Sequence, residues 1–373
     1  MPNVCSNSFP IWKDKHYLYA SQPDTLTITS SLLLYFESGI SIRSNASIIS
    51  EKNLDIGEFE IGKDYNVYLC IEKELKVTYV LSQNNSWPTG WESEKCIKIG
   101  GFHYGLVRNT NNNLEPVNKQ GEIRGRGWES EVYPGILPRS VWTLGHRPKS
   151  NPDGMTYLVN GVWIDIYLAS DDGTEGARSA INAIPLSGCN GENWYTMSRR
   201  AALVDKRLIS YREFCLASYG NPEGKDDSNE YGHTAKTNCA RAATGTSMYD
   251  VSSVGCRDMV GNLWEWTSDL ITRGEEVIIQ GDGSFKVTDG SRRLSTYKDG
   301  NGHEPEGRWA FDNASPIKGF GNIYQYYDHS LVAVLAGGRW STGIQAGPYT
   351  ADLRDYTWVV SSGIGARFCS DSN

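Results

Sequence analysis

The sequence predicts an α+β chain of two domains: an all-β, sandwich-like N-terminal domain, then a mixed domain of strands and helices. Three observations carry that expectation. Residues 21–108 alternate apolar and polar positions between turn signals, residues 196–219 hold helical spacing with a capping box, and residues 331–367 join an apolar strand to a glycine-framed block. At 373 residues the chain is long enough for two cores. Its 39 glycines and 12 tryptophans favour short strands, tight turns and large aromatic contacts over a helix bundle.

Residues 1–20 are expected to form an N-terminal segment; they lack the apolar stretch of a secretory signal, which places synthesis in a cytoplasm. Within 21–108, the runs TLTITSSLLLYFES, ISIRSNASIIS, YNVYLCIE, LKVTYVLS and KCIKIGGFHYG are rich in β-branched and aromatic residues. Breakers such as Gly62 and residues 84–90 separate them, the pattern of an antiparallel sandwich. Residues 109–150, first polar and then rich in Gly and Pro, read as a connector packed on the next domain.

The second domain, 151–373, opens with a strand at WIDIYL (163–168) and a polar loop through Gly176. MSRRAALVDK (197–206) places Met197, Ala201, Leu203 and Val204 on one side of a first helix. Ser210 and Glu213 stand at the S-x-x-E spacing that caps a second helix, with Phe214, Leu216 and Ala217 turned inward. Residues 221–249 read as loop. In DMVGNLWEWTSD (258–269), Gly261 and Asn262 favour a turn, and Trp264 and Trp266 alternate with Glu265 along a strand whose indoles fill a core.

Composition excludes several functions. A net charge of -8 with no Lys/Arg cluster argues against a nucleic-acid footprint. No apolar run approaches the roughly 18 residues that a membrane-spanning helix needs. The 8 cysteines are dispersed with no CxxC spacing, so they read as buried thiols rather than zinc ligands, with a disulfide left open. No cofactor is called for; the alternative is a structural calcium on Glu265 and Asp269, against pairing of these carboxylates with arginine.

The terminal block is the most informative stretch. Gly337, Gly338, Gly343, Gly347, Gly363 and Gly365 punctuate it. Between them sit Arg339, Ser341, Thr342, Ile344, Gln345, Tyr349, Asp352, Arg354, Asp355, Tyr356, Trp358, Val359 and Ser361, chemically mixed and without helical or strand period. That pattern suits a rigid frame carrying an arbitrary surface.

DMVGNLWEWTSD followed by GGRW and then GIGAR resembles the formylglycine-generating-enzyme branch of the C-type lectin fold. Within that branch, GKDYNVYLC (62–70), SWPTGW (86–91), KIGGFHYG (98–105), SVWTLGHRP (140–148), GMTYLVNGVWIDIYLAS (154–170), KRLISYREF (206–214) and the terminal block occur in the order of the phage major tropism determinant family. The resemblance implies a homotrimer at a tail-fibre tip in the virion, made in the host cytoplasm and attached to other tail-fibre proteins. It further implies a C-terminal variable region, about 337–367, that is diversified by a retroelement and binds a host cell-surface protein or glycan, with neither nucleic-acid binding nor membrane insertion. Carried over by position, Arg339, Ser341, Thr342, Gln345, Asp352, Arg354, Asp355, Val359 and Ser361 fall on the ligand-binding set, with Ile344, Tyr349, Tyr356 and Trp358 beside them. Gly337, Gly338, Trp340, Gly365 and Arg367 fall on the frame, and Trp264 and Trp266 on its core. The chain departs from the family at its start, where too little sequence precedes the sandwich for the family's separate β-prism.

Retroelement mutagenesis acts on adenines and so predicts loss of asparagine from the varied window. None of the 25 asparagines lies between Asn322 and Asn373. Two alternatives compete. An oxidase of the formylglycine-generating type would need cysteines just after GGRW, and residues 340–349 hold none. A glycan-binding lectin would use calcium or aromatic stacking; the QPD tripeptide at 22–24 lies outside the lectin-like domain, whereas Tyr349, Tyr356 and Trp358 offer rings.

Overall fold

A computed structural model describes residues 15–29, 33–35, 41–72, 76–118, 120–121, 132–221, 241–248, 250–272, 276–279, 285–288, 323–325, 330–342 and 346–373. The chain divides into two compact units, one of residues 1–107, 134–155 and 372–373, the other of 108–133 and 156–371. The expected connector at 109–150 is therefore shared: its Pro-rich second half folds with the first unit.

In the first unit, β1 (Leu18–Gln22), β2 (Thr25–Ile28) and β5 (Ser47–Ser50) form a three-stranded sheet, and β3 (Leu33–Tyr35) pairs with β4 (Ser41–Arg43). β6 (Lys63–Ile71), β7 (Val77–Ser82), β8 (Cys96–Arg108), β9 (Val132–Ile136) and β10 (Trp142–Thr143) form a second sheet in the order β10-β8-β6-β7, with β9 also on β8. Alternate residues explain the assembly. Leu26, Ile28 and Ile49 from the first sheet and Tyr65, Val67, Leu69 and Leu81 from the second share one buried core.

The second unit carries β11 (Met155–Tyr157) at its boundary, then β12 (Val162–Asp165), β13 (Ala169–Ser170) and β14 (Arg178–Ser179). α1 (Trp194–Ala202), β15 (Arg207–Leu208) and α2 (Tyr211–Ser218) follow. The strands β16 (Trp264–Thr272), β17 (Glu276–Ile279), β18 (Phe285–Thr288), β19 (Ile323–Gln325), β20 (Leu331–Ala336), β21 (Ala351–Leu353), β22 (Ile364–Ala366) and β23 (Phe368–Asp371) complete the described elements. Five of them make the central sheet, in the order β19-β21-β20-β16-β22.

Both helices pack on that sheet, and β20 shows why its sequence is apolar throughout. Val334 and Ala336 face the cluster containing Phe214, Cys215 and Ala217 of α2. Ala333 and Leu335 face the cluster containing Met197 and Ala201 of α1. A strand covered on both faces loses the alternation of a half-exposed one.

The helices also show where local signals suffice. Ser210 Oγ accepts from Glu213 N at 3.2 Å while Glu213 Oε2 accepts from Ser210 N at 2.7 Å, the reciprocal cap read from the sequence. The first helix begins three residues before the expected Met197, because Asn193 Oδ1 caps it, accepting from Tyr195 N and Thr196 N at 3.0 and 3.1 Å. It ends at Ala202, which leaves Leu203 exposed rather than on the buried side.

β16 carries the expected tryptophans inward, with Trp266 fully buried and Trp264 nearly so. Glu265, between them, is buried as well. Its partner is Arg367, also fully buried, whose Nε and one terminal nitrogen donate to the two carboxylate oxygens at 3.2 and 3.1 Å. The other guanidinium bonds go to the carbonyls of Asp165 (2.9 Å), Ile166 (2.7 Å) and Arg257, so all five N–H donors are used. Burial opposes the charge on Arg367, and Glu265 together with Cys256 and Asp258 outweighs that effect, holding the guanidinium above its usual range. Asp269, the other carboxylate considered for calcium, accepts from Tyr211 N at 2.6 Å. Among the described residues no group of three or more His, Cys, Asp or Glu side chains is placed to hold a metal ion. Nor, among them, is any helix long and apolar enough to cross a membrane.

Candidate ligand-display surface

The terminal block starts where β20 ends. Gly337 and Gly338 have φ of +88° and +86°, and a Cβ on Gly337 would lie 2.6 Å from Met259 O. Only glycine fits that turn. Gly337 N donates to Thr350 O at 3.0 Å and Trp340 N to Asn262 O at 3.1 Å. Both bonds use main-chain atoms.

Further along, the same economy recurs. Tyr211 Oη donates to Tyr349 O at 2.8 Å, and Ser218 Oγ to Pro348 O at 3.1 Å. Trp194 N donates to Thr357 O at 3.2 Å, Gly188 N to Ser361 O at 2.9 Å, and Trp264 N to Gly363 O at 2.9 Å. Val359 N closes a turn on Tyr356 O at 3.0 Å. The described parts of the path, 337–342 and 346–367, are thus held largely through backbone carbonyls and amides, two short strands and the buried Arg367. Side chains facing outward along it can change without removing those bonds.

What the path presents is mixed, as its sequence suggests. Arg339, Ser341 and Trp358 are exposed, Trp358 at 60%. Thr342, Arg354, Asp355, Tyr356, Val359 and Ser361 are half-buried. Arg339 Nε donates to Ser341 Oγ at 3.0 Å, and its guanidinium lies 5.8 Å from the centre of the Trp340 ring. Tyr356 and Trp358 stack in parallel, with ring centroids 4.8 Å apart and an interplanar angle of 4°. A pre-stacked pair of large rings, Trp358 exposed and Tyr356 half-buried, offers contact area at little entropic cost.

Three expected roles change. Tyr349 lies in the core beside α2 and Asp352 is buried, so neither side chain is part of the outer face. Asp352 instead receives Arg354 in a bidentate contact, with Nε to Oδ1 at 2.8 Å and a terminal nitrogen to Oδ2, and also accepts from Arg354 N at 3.0 Å. Trp340, expected in the frame, is half-buried rather than enclosed. Ile344 and Gln345 lie outside the described residues. The other frame positions, Gly337, Gly338, Gly365, Arg367, Trp264 and Trp266, are buried.

Two surface residues had no signal in the sequence. Val360, next to Val359, is 53% exposed. Tyr195, far away in the chain, is 54% exposed, and its Oη accepts from Thr357 Oγ1 at 3.0 Å. Trp194 holds this corner from below, its Nε1 donating to Thr267 O at 2.7 Å. Tyr195 thereby adds a ring from outside the terminal window to the Tyr356–Trp358 corner.

The chain's close approach at Gly188 sets the position of that corner. A Cβ there would lie 2.3–2.5 Å from the Ser361 backbone, which cannot rotate away as a side chain could. Gly188→Ala is expected to cost about 1–3 kcal/mol by forcing the 356–363 loop outward. Thermal unfolding and ligand binding measured together check this, with binding falling further than the loss of folded protein accounts for.

Cys369 of β23 is fully buried, and burial, then Glu213, pushes its thiol well above the usual range. A thiol held protonated in this way is a poor nucleophile.

Residues 16–129 match the family profile described as Mtd second domain, and residues 191–352 the profile described as sulfatase-modifying factor enzyme 1-like domain. The chain is 23% identical over 265 residues to the tail fiber receptor-binding protein of Bordetella phage BPP-1, a match covering 65% of each sequence and so less than two thirds of that relative. Among solved structures it is similar to the Major Tropism Determinant M1 variant, with a TM-score of 0.66 and 21% identity over 98% of this chain and 85% of that one. The P3c variant gives a TM-score of 0.65 and 22% identity, over 98% and 86%. The fold of the second unit is C-type lectin-like.

Proposed function

We infer that this chain, a member of the phage tropism-determinant family with a sulfatase-modifying-factor-like domain, is the receptor-binding protein of a phage tail fibre. It binds a host surface molecule by the exposed side chains of residues 339–361, without bond chemistry. The observation that carries this reading is the division within the terminal block: main-chain hydrogen bonds hold the path, while Arg339, Ser341, Tyr356 and Trp358 face outward. Such a surface can be rewritten by mutation while the frame stands. The relatives' printed names, a tail fiber receptor-binding protein and Major Tropism Determinants, support the same reading.

The finer picture follows from it. The first unit is a sandwich-like attachment and trimerisation domain, the second an α+β lectin-like domain, and three copies raise a modest single-site affinity through effective concentration. Diversification by a retroelement accounts for the chemically mixed window. A glycan is favoured as ligand over a protein only to the extent that stacked Tyr356 and Trp358 suit the apolar face of a sugar ring.

The test is competition. Purified chain, added to cells of the infected strain before the virion, is expected to lower adsorption in a saturable way. Binding to those cells without any fall in adsorption would show that the surface recognises something other than the receptor. A glycan array then separates sugar from protein, and a reverse transcriptase gene beside a template repeat differing only at adenines supports the retroelement.

A further inference from the structure

Cys70 of β6 and Cys96 of β8 are direct partners in the antiparallel register, and their Sγ atoms lie 2.8 Å apart. Directly opposed residues on antiparallel strands hold their Cα atoms about 4.5–5.5 Å apart, inside the roughly 4.4–6.8 Å that disulfides span. Closing a bond here requires side-chain rotation and no movement of either strand. No bond joins the two sulfurs in the structure.

Their surroundings differ in a useful way. Cys70 is buried in a small cluster with Tyr68 and Val80, against which Trp91 and Cys96 pack. Cys96 is partly exposed, so a reagent reaches that sulfur first. The hydrogen bond between the two sulfurs, with Lys95 adding to the effect, holds Cys96 below the usual thiol range against the cost of its burial. The same contact, followed by burial, pushes Cys70 up.

We propose that Cys70 and Cys96 form a reversible cross-strand disulfide, locking β6 to β8 when the chain meets a low-molecular-weight disulfide such as oxidised glutathione. Cys96, as thiolate, attacks one sulfur of that disulfide; the S–S bond breaks, one glutathione thiolate leaves, and a mixed disulfide stands on Cys96. Cys70 releases its proton to solvent, its sulfur attacks Cys96 Sγ, and the second glutathione thiolate leaves. Two protein thiols are oxidised and one glutathione disulfide is reduced to two thiols. A chain that works outside the cell meets more oxidising conditions than the one that makes it.

The experiment uses the full chain, incubated with oxidised glutathione, alkylated with iodoacetamide after denaturation, and mapped by peptide mass. The expected result is a peptide pair joined through Cys70 and Cys96, reversed by dithiothreitol, and an apparent Tm higher by about 5 °C. Exposed Cys189 taking up glutathione shows that the reagent is active. In Cys70→Ser the intermediate has no second thiol to resolve it, so a glutathione adduct accumulates on Cys96. Alkylation of both Cys70 and Cys96 in wild type while Cys189 is modified overturns the proposal, as does a lasting glutathione adduct on wild-type Cys96. Wild type alone decides the matter if the serine variant does not fold.

Discussion

Replacing Tyr356 and Trp358 together by alanine is expected to weaken host binding about a hundredfold or more while leaving thermal unfolding nearly unchanged. Truncating a central aromatic anchor costs about 2 kcal/mol or more, and each 1.4 kcal/mol is tenfold in affinity. These rings stack on each other at the outer face, and the turn between them is closed by Val359 N on Tyr356 O, which alanine preserves. Surface changes such as Trp358→Ala usually alter stability by about 0.5 kcal/mol or less, and half-buried Tyr356 adds little to that. Arg354 is left out of the pair deliberately: it covers the buried Asp352 carboxylate, so its loss mixes stability with binding. Tyr195→Ala is the companion measurement. A fall in binding there extends the footprint beyond the terminal window, and unchanged binding confines it to that window. Binding of the double variant at wild-type strength would place the ligand elsewhere on the molecule.

Local chemistry made part of this architecture legible in advance. The capping box at Ser210 and Glu213, the apolar run of β20 and the strand containing Trp264 and Trp266 each carry their signal within a few residues. The glycine pair at 337 and 338 likewise announces positive φ before any fold is known. What stayed hidden depends on residues distant in sequence. Tyr349 reads as a ring in a mixed loop, and only the arrival of α2 on the sheet puts it in the core. Asp352 reads as a surface carboxylate until Arg354 folds over it. Tyr195 joins the display surface through one hydroxyl contact with Thr357, a relation no spacing encodes. The start of the first helix is hidden for a narrower reason: Asn193 caps as well as serine does, and the helical turn it opens at Trp194 precedes the apolar spacing that begins at Met197.

The same distinction between frame and surface predicts the largest stability effect in the chain. Arg367→Ala is expected to lower unfolding stability by about 3–5 kcal/mol, the range found when one member of a buried ion pair is removed. The substitution strands the Glu265 carboxylate in an interior where burial already raises its proton affinity, an effect Arg367 at present opposes. It also takes a donor from the carbonyls of Asp165, Ile166 and Arg257, of which Ile166 O keeps the Arg257 amide at 2.8 Å. Arg367→Ala with Glu265→Ala removes the stranded charge and is expected to recover part of the loss, leaving the cavity and the lost carbonyl bonds. Urea unfolding of the two variants gives the comparison. Because Arg367 ties β22 to β16 and to the 165–166 and 257 segments, the single variant should lose binding only in proportion to its unfolded fraction. A variant that remains as stable as wild type but binds weakly would move Arg367 from the frame to the ligand surface, which its complete burial and five satisfied donors oppose.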